Sequence, residues 1–119
     1  MRVIVWRMTM SIRGNAPDLI AGALYHLGYR PHDSLLVLGL RAATDGRATV
    51  TMTARVDLPD DRHVDGAAQD LARLMLTSGA TSLLSVLFTD LPRGRARNLG
   101  GRFRSVFVHA GLRVFDEYQ

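Results

Sequence analysis

Between Pro17 and Pro59 the spacing of apolar residues changes from helical to continuous and then to strictly alternating. Few folds accommodate those three patterns in so short a span. Leu19, Ile20, Ala23, Leu24 and Leu27 recur every three or four residues, the stripe of a helix with one buried face. Asn15 is placed to cap that helix, with Pro17 in its first turn and Gly28 as a left-handed closing residue. Leu35-Leu36-Val37-Leu38-Gly39-Leu40 is apolar throughout and bounded by turns, which predicts a strand covered on both faces. Asp45-Gly46 is a hairpin signal. In the return strand Ala48, Val50, Met52, Ala54 and Val56 alternate with Thr49, Thr51, Thr53, Arg55 and Asp57. That alternation predicts one buried face and one that is solvated or lies in an interface.

The flanking segments extend the pattern. Ile4, Trp6, Met8, Met10 and Ile12 alternate with Val5, Arg7, Thr9, Ser11 and Arg13 as a first strand. Trp6, Met8 and Met10 on one face belong to the core or, if the strand lies at an edge, to an oligomer seam. Val64, Ala67, Ala68, Leu71, Leu74 and Met75 mark a second helix, and Leu83–Phe88 a second buried strand. Leu99, Phe103, Val106, Phe107 and Ala110 mark a third helix, and Leu112–Phe115 a last short strand. The predicted fold is a single α/β domain spanning residues 1–119, with a mixed five-stranded sheet in the order βαββαβαβ and three packing helices. Helical connections then join parallel neighbours with a right-handed crossover.

Composition narrows the functional classes. With 119 residues, 47% of them apolar, the chain suits one domain with a true core. It has no cysteine, which removes disulfides and thiolate chemistry. The start lacks a continuous apolar run and no segment is long enough to span a membrane, so a cytoplasmic setting is expected. All fifteen basic residues are arginine. Such uniform use fits a GC-rich genome as well as a surface selected for bidentate anion contacts. The net charge of +4 favours encounter with an anionic partner without specifying one.

Three segments carry a resemblance: Ser11-Ile12-Arg13-Gly14 with Pro17-Asp18-Leu19-Ile20; Leu27-Gly28-Tyr29-Arg30-Pro31-His32-Asp33-Ser34-Leu35; and Thr53-Ala54-Arg55-Val56-Asp57-Leu58-Pro59. In these the chain resembles the N-terminal half of the actinobacterial domain-of-unknown-function family 4192, more weakly on to Phe88 and at Ala110-Gly111-Leu112. The resemblance implies an α/β fold, a bacterial cytoplasmic setting and no established activity. It also implies that members continue past a point like Phe115 with a Gly-Arg-Trp-Trp-Ser-Tyr segment that this chain lacks, so that the chain is a stand-alone first half or a fragment.

Two residue sets are candidates for chemistry. The strand order places Arg30, His32, Asp33, Asp57, Asp60 and Asp90 at one rim of the sheet, where ligands of open α/β sheets bind. Carboxylates with a histidine suit a divalent cation or acid–base work. Helix caps and turns use the same residue types, and no spaced metal motif is present. The second set is Arg93, Arg95, Arg97, Arg102 and Arg104 within Pro92–Arg104, a segment without an acid. It suits phosphate or nucleic acid, although its one aromatic, Phe103, falls on the core stripe; an exposed basic loop is the plainer reading. His26 and His109 sit beside apolar stripes as packing residues. No P-loop, dinucleotide fingerprint or nucleophile elbow occurs, and nothing calls for a cofactor or metal.

The reading that requires least is a non-catalytic interaction module. It would form a homo-oligomer or dock a protein partner through a sheet edge or the Thr49/Thr51/Thr53 face. An anion or nucleic-acid binder acting through Arg93–Arg104 is the alternative, and a metal-dependent hydrolase at the Asp57/Asp90 rim the second.

Overall fold

The computed structural model describes residues 3–6, 11–12, 16–42 and 48–118. The alternating start contributes β1 (Val3–Trp6) and β2 (Ser11–Ile12), both antiparallel to a later strand. Met8, Met10, Asn15 and the Asp45-Gly46 turn lie outside the described residues. Helix α1 (Ala16–Leu27) ends at Gly28, whose φ of 84° is the left-handed closing conformation the sequence predicts. The hairpin strands β3 (Ser34–Ala42) and β4 (Ala48–Asp57) follow. A 3-10 turn (Asp61–His63) leads into α2 (Val64–Thr77), then β5 (Ser82–Phe88), α3 (Arg93–His109) and β6 (Arg113–Tyr118).

The sheet runs β1-β4-β3-β5-β6, with β2 also beside β4. It is mixed: β3 is antiparallel to both β4 and β5, whereas β5 and β6 are parallel. This is the expected α/β architecture, with one correction. Only α3 joins parallel neighbours. The short hairpin connection makes β4 the neighbour of β3, so α1 must pass over β4 and α2 over β3.

Helices cover both faces. On one face α2 and α3 bury Val64, Leu71, Met75, Phe103 and Phe107 against Leu35, Val37, Ala54, Val56, Leu83 and Leu87. On the other, Leu19, Ile20 and Ala23 of α1 pack on Leu36, Leu38, Leu40, Leu84, Val86 and Phe88. Strands β1 and β3 run opposite to β4, β5 and β6. Crossovers of one common hand must therefore place α1 opposite α2 and α3, as observed. The apolar run from Leu35 to Leu40 thus feeds two cores at once, odd positions one way and even positions the other.

Strand β4 departs from the predicted alternation. The register shifts between Gly39, opposite Met52, and Leu40, opposite Val50, which leaves Thr51 as an extra residue. Met52, Ala54 and Val56 belong to the α2/α3 side, but Val50 joins the α1 core. The Thr51 hydroxyl turns to the end of α2, 2.8 Å from the Ser78 hydroxyl. Thr53 is fully buried and Arg55 is only 9% exposed. The polar row of β4 is therefore not a solvated face. β4 lies between β3 and β1, and an inner strand of a sheet with helices on both sides is covered twice.

Candidate functional site

One predicted juxtaposition is present. Ser34 at the start of β3 lies opposite Asp57 at the end of β4 and Phe88 at the end of β5. The rim residues meet there. His32 Nε2 is 3.4 Å from Asp33 Oδ2 and 3.8 Å from Asp90 Oδ2. Thr89 Oγ1 donates to Asp33 Oδ1 at 3.1 Å, and the Leu58 N–H donates to the Asp33 carbonyl at 3.0 Å. Asp33 holds a φ of 44°, which an aspartate in a tight turn tolerates. The Arg30 guanidinium lies 5.3 Å from the Phe88 ring centroid. These groups are largely exposed: the side chains of His32, Asp33 and Asp90 are 71%, 57% and 90% accessible. Among the described residues no three His, Asp or Glu side chains converge in metal-binding geometry. Asp60 stands apart from this group, 4.0 Å from His63 Nδ1.

The buried member of the rim is Arg55, which the alternation of β4 had placed on a polar face. Its Nη2 donates to Asp57 Oδ1 at 2.7 Å, and its guanidinium lies 5.9 Å from the Tyr29 ring. Its Nε is buried without a hydrogen-bond partner. The inner position of β4 is the signal for this burial, but it depends on knowing that β1 adds outside β4. Breaking a buried pair costs more than replacing it, because the surviving charge is left uncompensated. Asp57→Ala is therefore expected to lower stability by about 1–3 kcal/mol, while Arg55→Met stays within about 1 kcal/mol of the parent. Urea melts of the two variants decide this; greater damage from Arg55→Met would refute it.

The arginine set is not a loop. It lies on α3, which begins at Arg93, well before the apolar stripe that announced the helix. At 3.6 residues per turn the five arginines split into two rows flanking the buried stripe Ala96, Leu99, Phe103 and Phe107. Arg95 and Arg102 face the β4–α2 connection. There, with Asn98, Leu58, Asp60 and Asp61, they line a cleft of about 630 Å³. Arg102 is spent on that side: it donates to the Asp61 carbonyl at 2.8 Å and lies 3.7 Å from the carboxylates of Asp61 and Asp65. The cleft therefore balances its own charge.

Arg93, Arg97 and Arg104 form the other row, toward β6. Arg104 Nη1 donates to Asp116 Oδ2 at 2.7 Å. Arg93 and Arg97 are exposed, and among the described residues no hydrogen bond or ion pair engages their side chains. The predicted cluster is thus brought together with acids from two different elements. Asp116, which composition alone gave no reason to single out, is the partner on the β6 side.

His26 and His109 are exposed rather than packed. His26 meets the Tyr25 ring edge-on, and His109 Nδ1 is 2.7 Å from the Ser105 carbonyl.

Strand β6 closes the sheet on this side. It is parallel to β5, and no described strand pairs with its outer edge. The Arg113 N–H donates to the Thr81 carbonyl, so the alternation of the strand turns the N–H groups of Val114 and Asp116 outward. On the α1 side, Phe115 is opposite the buried Leu84 yet is itself 52% exposed. Helix α1 covers β3 and β5 but stops short of β6.

Among the described residues no helix is long and apolar enough to cross a membrane. No match is found among curated proteins or among solved structures. A family model does match, over residues 17–118, nearly the whole chain and the full α1-to-β6 architecture. The chain belongs to the family described as domain of unknown function (DUF4192).

Proposed function

We propose that the chain is a non-catalytic protein-interaction module of the actinobacterial cytoplasm that receives an extended segment of a partner along β6. The observation that carries this reading is the open edge of β6 beside half-exposed Phe115. Natural sheets usually blunt such edges, and strand addition on an open edge is a recurrent way to bind a peptide. The outward N–H groups of Val114 and Asp116 would supply the ladder, and Phe115 an apolar contact on the α1 side. The Thr49/Thr51/Thr53 face gives no comparable support, since Thr53 is buried and Thr51 is bonded to Ser78.

Proline removes a strand donor without touching the opposite ladder. Asp116→Pro therefore deletes an outward N–H, while Asp116→Asn loses the same ion pair with Arg104 and keeps that N–H. Both variants are expected to fold, judged by circular dichroism. Proteins retained by the immobilised parent from native cytoplasm, quantified by mass spectrometry, should be lost on Asp116→Pro and kept on Asp116→Asn. Equal retention by both variants would remove the edge from the mechanism.

A further inference from the structure

The geometry points to a second binding site, for a short apolar peptide with both ends free, in the cleft between α3 and the β4–α2 connection. It is independent of strand addition on β6, which uses another part of the surface. The cleft lies at the carboxyl ends of β4 and β5, where ligands of α/β sheets bind. Its volume of about 630 Å³ falls within the range of small-molecule sites. Its two walls differ in sign. The approach to α2 carries Asp60, Asp61 and Asp65, whereas the first turn of α3 carries no acid. Arg102 bridges the walls and is spent on Asp61 and Asp65. That leaves Arg95 on one wall and Asp60 on the other. Among the described residues no hydrogen bond or ion pair engages the Arg95 side chain. The Asp60 carboxylate reaches His63 Nδ1 only at 4.0 Å, beyond hydrogen-bond distance. The charges of the cleft thus cancel in sum, while a cation and a carboxylate stay unmated across it. A ligand with one anionic and one cationic end fits that pair better than a plain anion, which Asp60 and Asp61 would repel.

The length of the ligand follows from the same pair. Arg95 and Asp60 do not meet as an ion pair. A single amino acid carries both charges on one carbon and spans the two walls less well than a dipeptide or tripeptide. A peptide also supplies what Asn98 can use. Asn98 follows Arg95 by three residues, roughly 4.5 Å along the helix axis, and its side-chain amide both donates and accepts. It matches the N–H and C=O of a peptide bond one step in from a carboxylate held by Arg95. Between the walls the floor is apolar. Leu58 and Leu91 are half-buried and pack against the α2/α3 core, with Pro59 and Leu99 beside them. Apolar side chains of the ligand would lie there.

The test is an NMR titration of the ¹⁵N-labelled full chain with leucyl-leucine. The amides of Leu58, Asp60, Asp61, Leu91 and residues 95–102 should shift, and those of β6 should not. Glycyl-glycine, N-acetyl-leucyl-leucine and leucyl-leucine amide lack the side chains, the ammonium and the carboxylate in turn. Each should bind at least about tenfold more weakly than leucyl-leucine. Arg95→Ala and Asp60→Asn, both at exposed positions, should weaken leucyl-leucine as much, while Arg97→Ala, on the other row of α3, leaves its affinity unchanged. On Asp60→Asn the free and acetylated peptides should bind alike. Equal binding of the acetylated peptide by the parent chain assigns the cleft to the carboxyl end of a larger protein. Tighter binding of inorganic phosphate than of leucyl-leucine through Arg95 assigns it to anions. Either result overturns the proposal. So does the absence of any shift at millimolar leucyl-leucine, or a loss on Arg97→Ala equal to that on Arg95→Ala. None of these outcomes bears on the β6 edge.

Discussion

Gly39→Val is expected to leave little folded protein, and Gly39→Ala to cost about 1–3 kcal/mol. A Cβ at Gly39 would stand 2.7 Å from Thr51 Oγ1, 2.9 Å from Met75 Sδ and 3.1 Å from Ala80 Cβ. The methionine can swing aside. The alanine cannot, because its Cβ is fixed to the backbone that follows α2. The threonine can yield only by giving up its hydrogen bond to Ser78. Three elements therefore meet at a point where only a hydrogen fits: the bulge of β4, the last turn of α2 and the centre of β3. Valine adds two further methyl groups to a gap too small for the first. Its cost approaches the whole stability of an ordinary domain, roughly 5–15 kcal/mol. Thermal and urea melts of the alanine variant give the number, and solubility on expression reports the valine variant. Coupling identifies the cause: the double variant Gly39→Ala/Thr51→Ala should be less damaged than the sum of its parts. An alanine variant as stable as the parent would show that the three elements do not meet as described.

That same point marks the limit of what the residue pattern disclosed. The helices, the buried strands and the shared rim were legible because each depends on local period: Leu19 to Leu27, Leu35 to Leu40, Val64 to Met75. The rim was legible because alternating direction along a hairpin and a crossover determines which ends coincide. His32, Asp33 and Asp90 accordingly lie together. What local period does not carry is the order of non-adjacent strands. Nothing in Val3–Trp6 says that it adds outside β4, yet that placement buries Thr53 and Arg55 and turns an apparent polar face into interior. The bulge at Thr51 was hidden for a similar reason, since it is set by Gly39 on the neighbouring strand and by Ser78, the residue that closes α2. The arginines were misplaced more simply. Gly94, Gly100 and Gly101 lower helix propensity and the arginines carry no apolar stripe, so Arg93–Asn98 resembles a loop until Phe103 and Phe107 anchor the helix behind it. Packing overrides propensity here, and the override converts one basic run into two rows with different neighbours.

Phe103→Ala should therefore weaken far more than one contact. Phe103 and Phe107 are each at most 1% exposed, with ring centroids 6.1 Å apart, and both pack into the α2/α3 side of the sheet. A phenylalanine truncated in such a core costs about 3–5 kcal/mol. In a helix with three glycines, little local propensity remains to hold the first turns once that anchor goes. Arg102 and Arg104, its chain neighbours, reach in opposite directions to Asp61 and Asp116, and both pairs depend on the helix keeping its rotation. The exposed pairs themselves are worth little, so their loss reports on geometry and adds little to the energy. Phe103→Ala should lower the urea midpoint sharply. It should also raise amide hydrogen exchange over residues 93–104 by more than over β3, whose cover on the α1 face is untouched. Phe103→Leu, which keeps most of the volume, should recover more than half of the loss. Uniform exchange across both regions would mean that α3 unfolds only with the whole sheet, and the arginine row beside β6 would then be as rigid as the core itself.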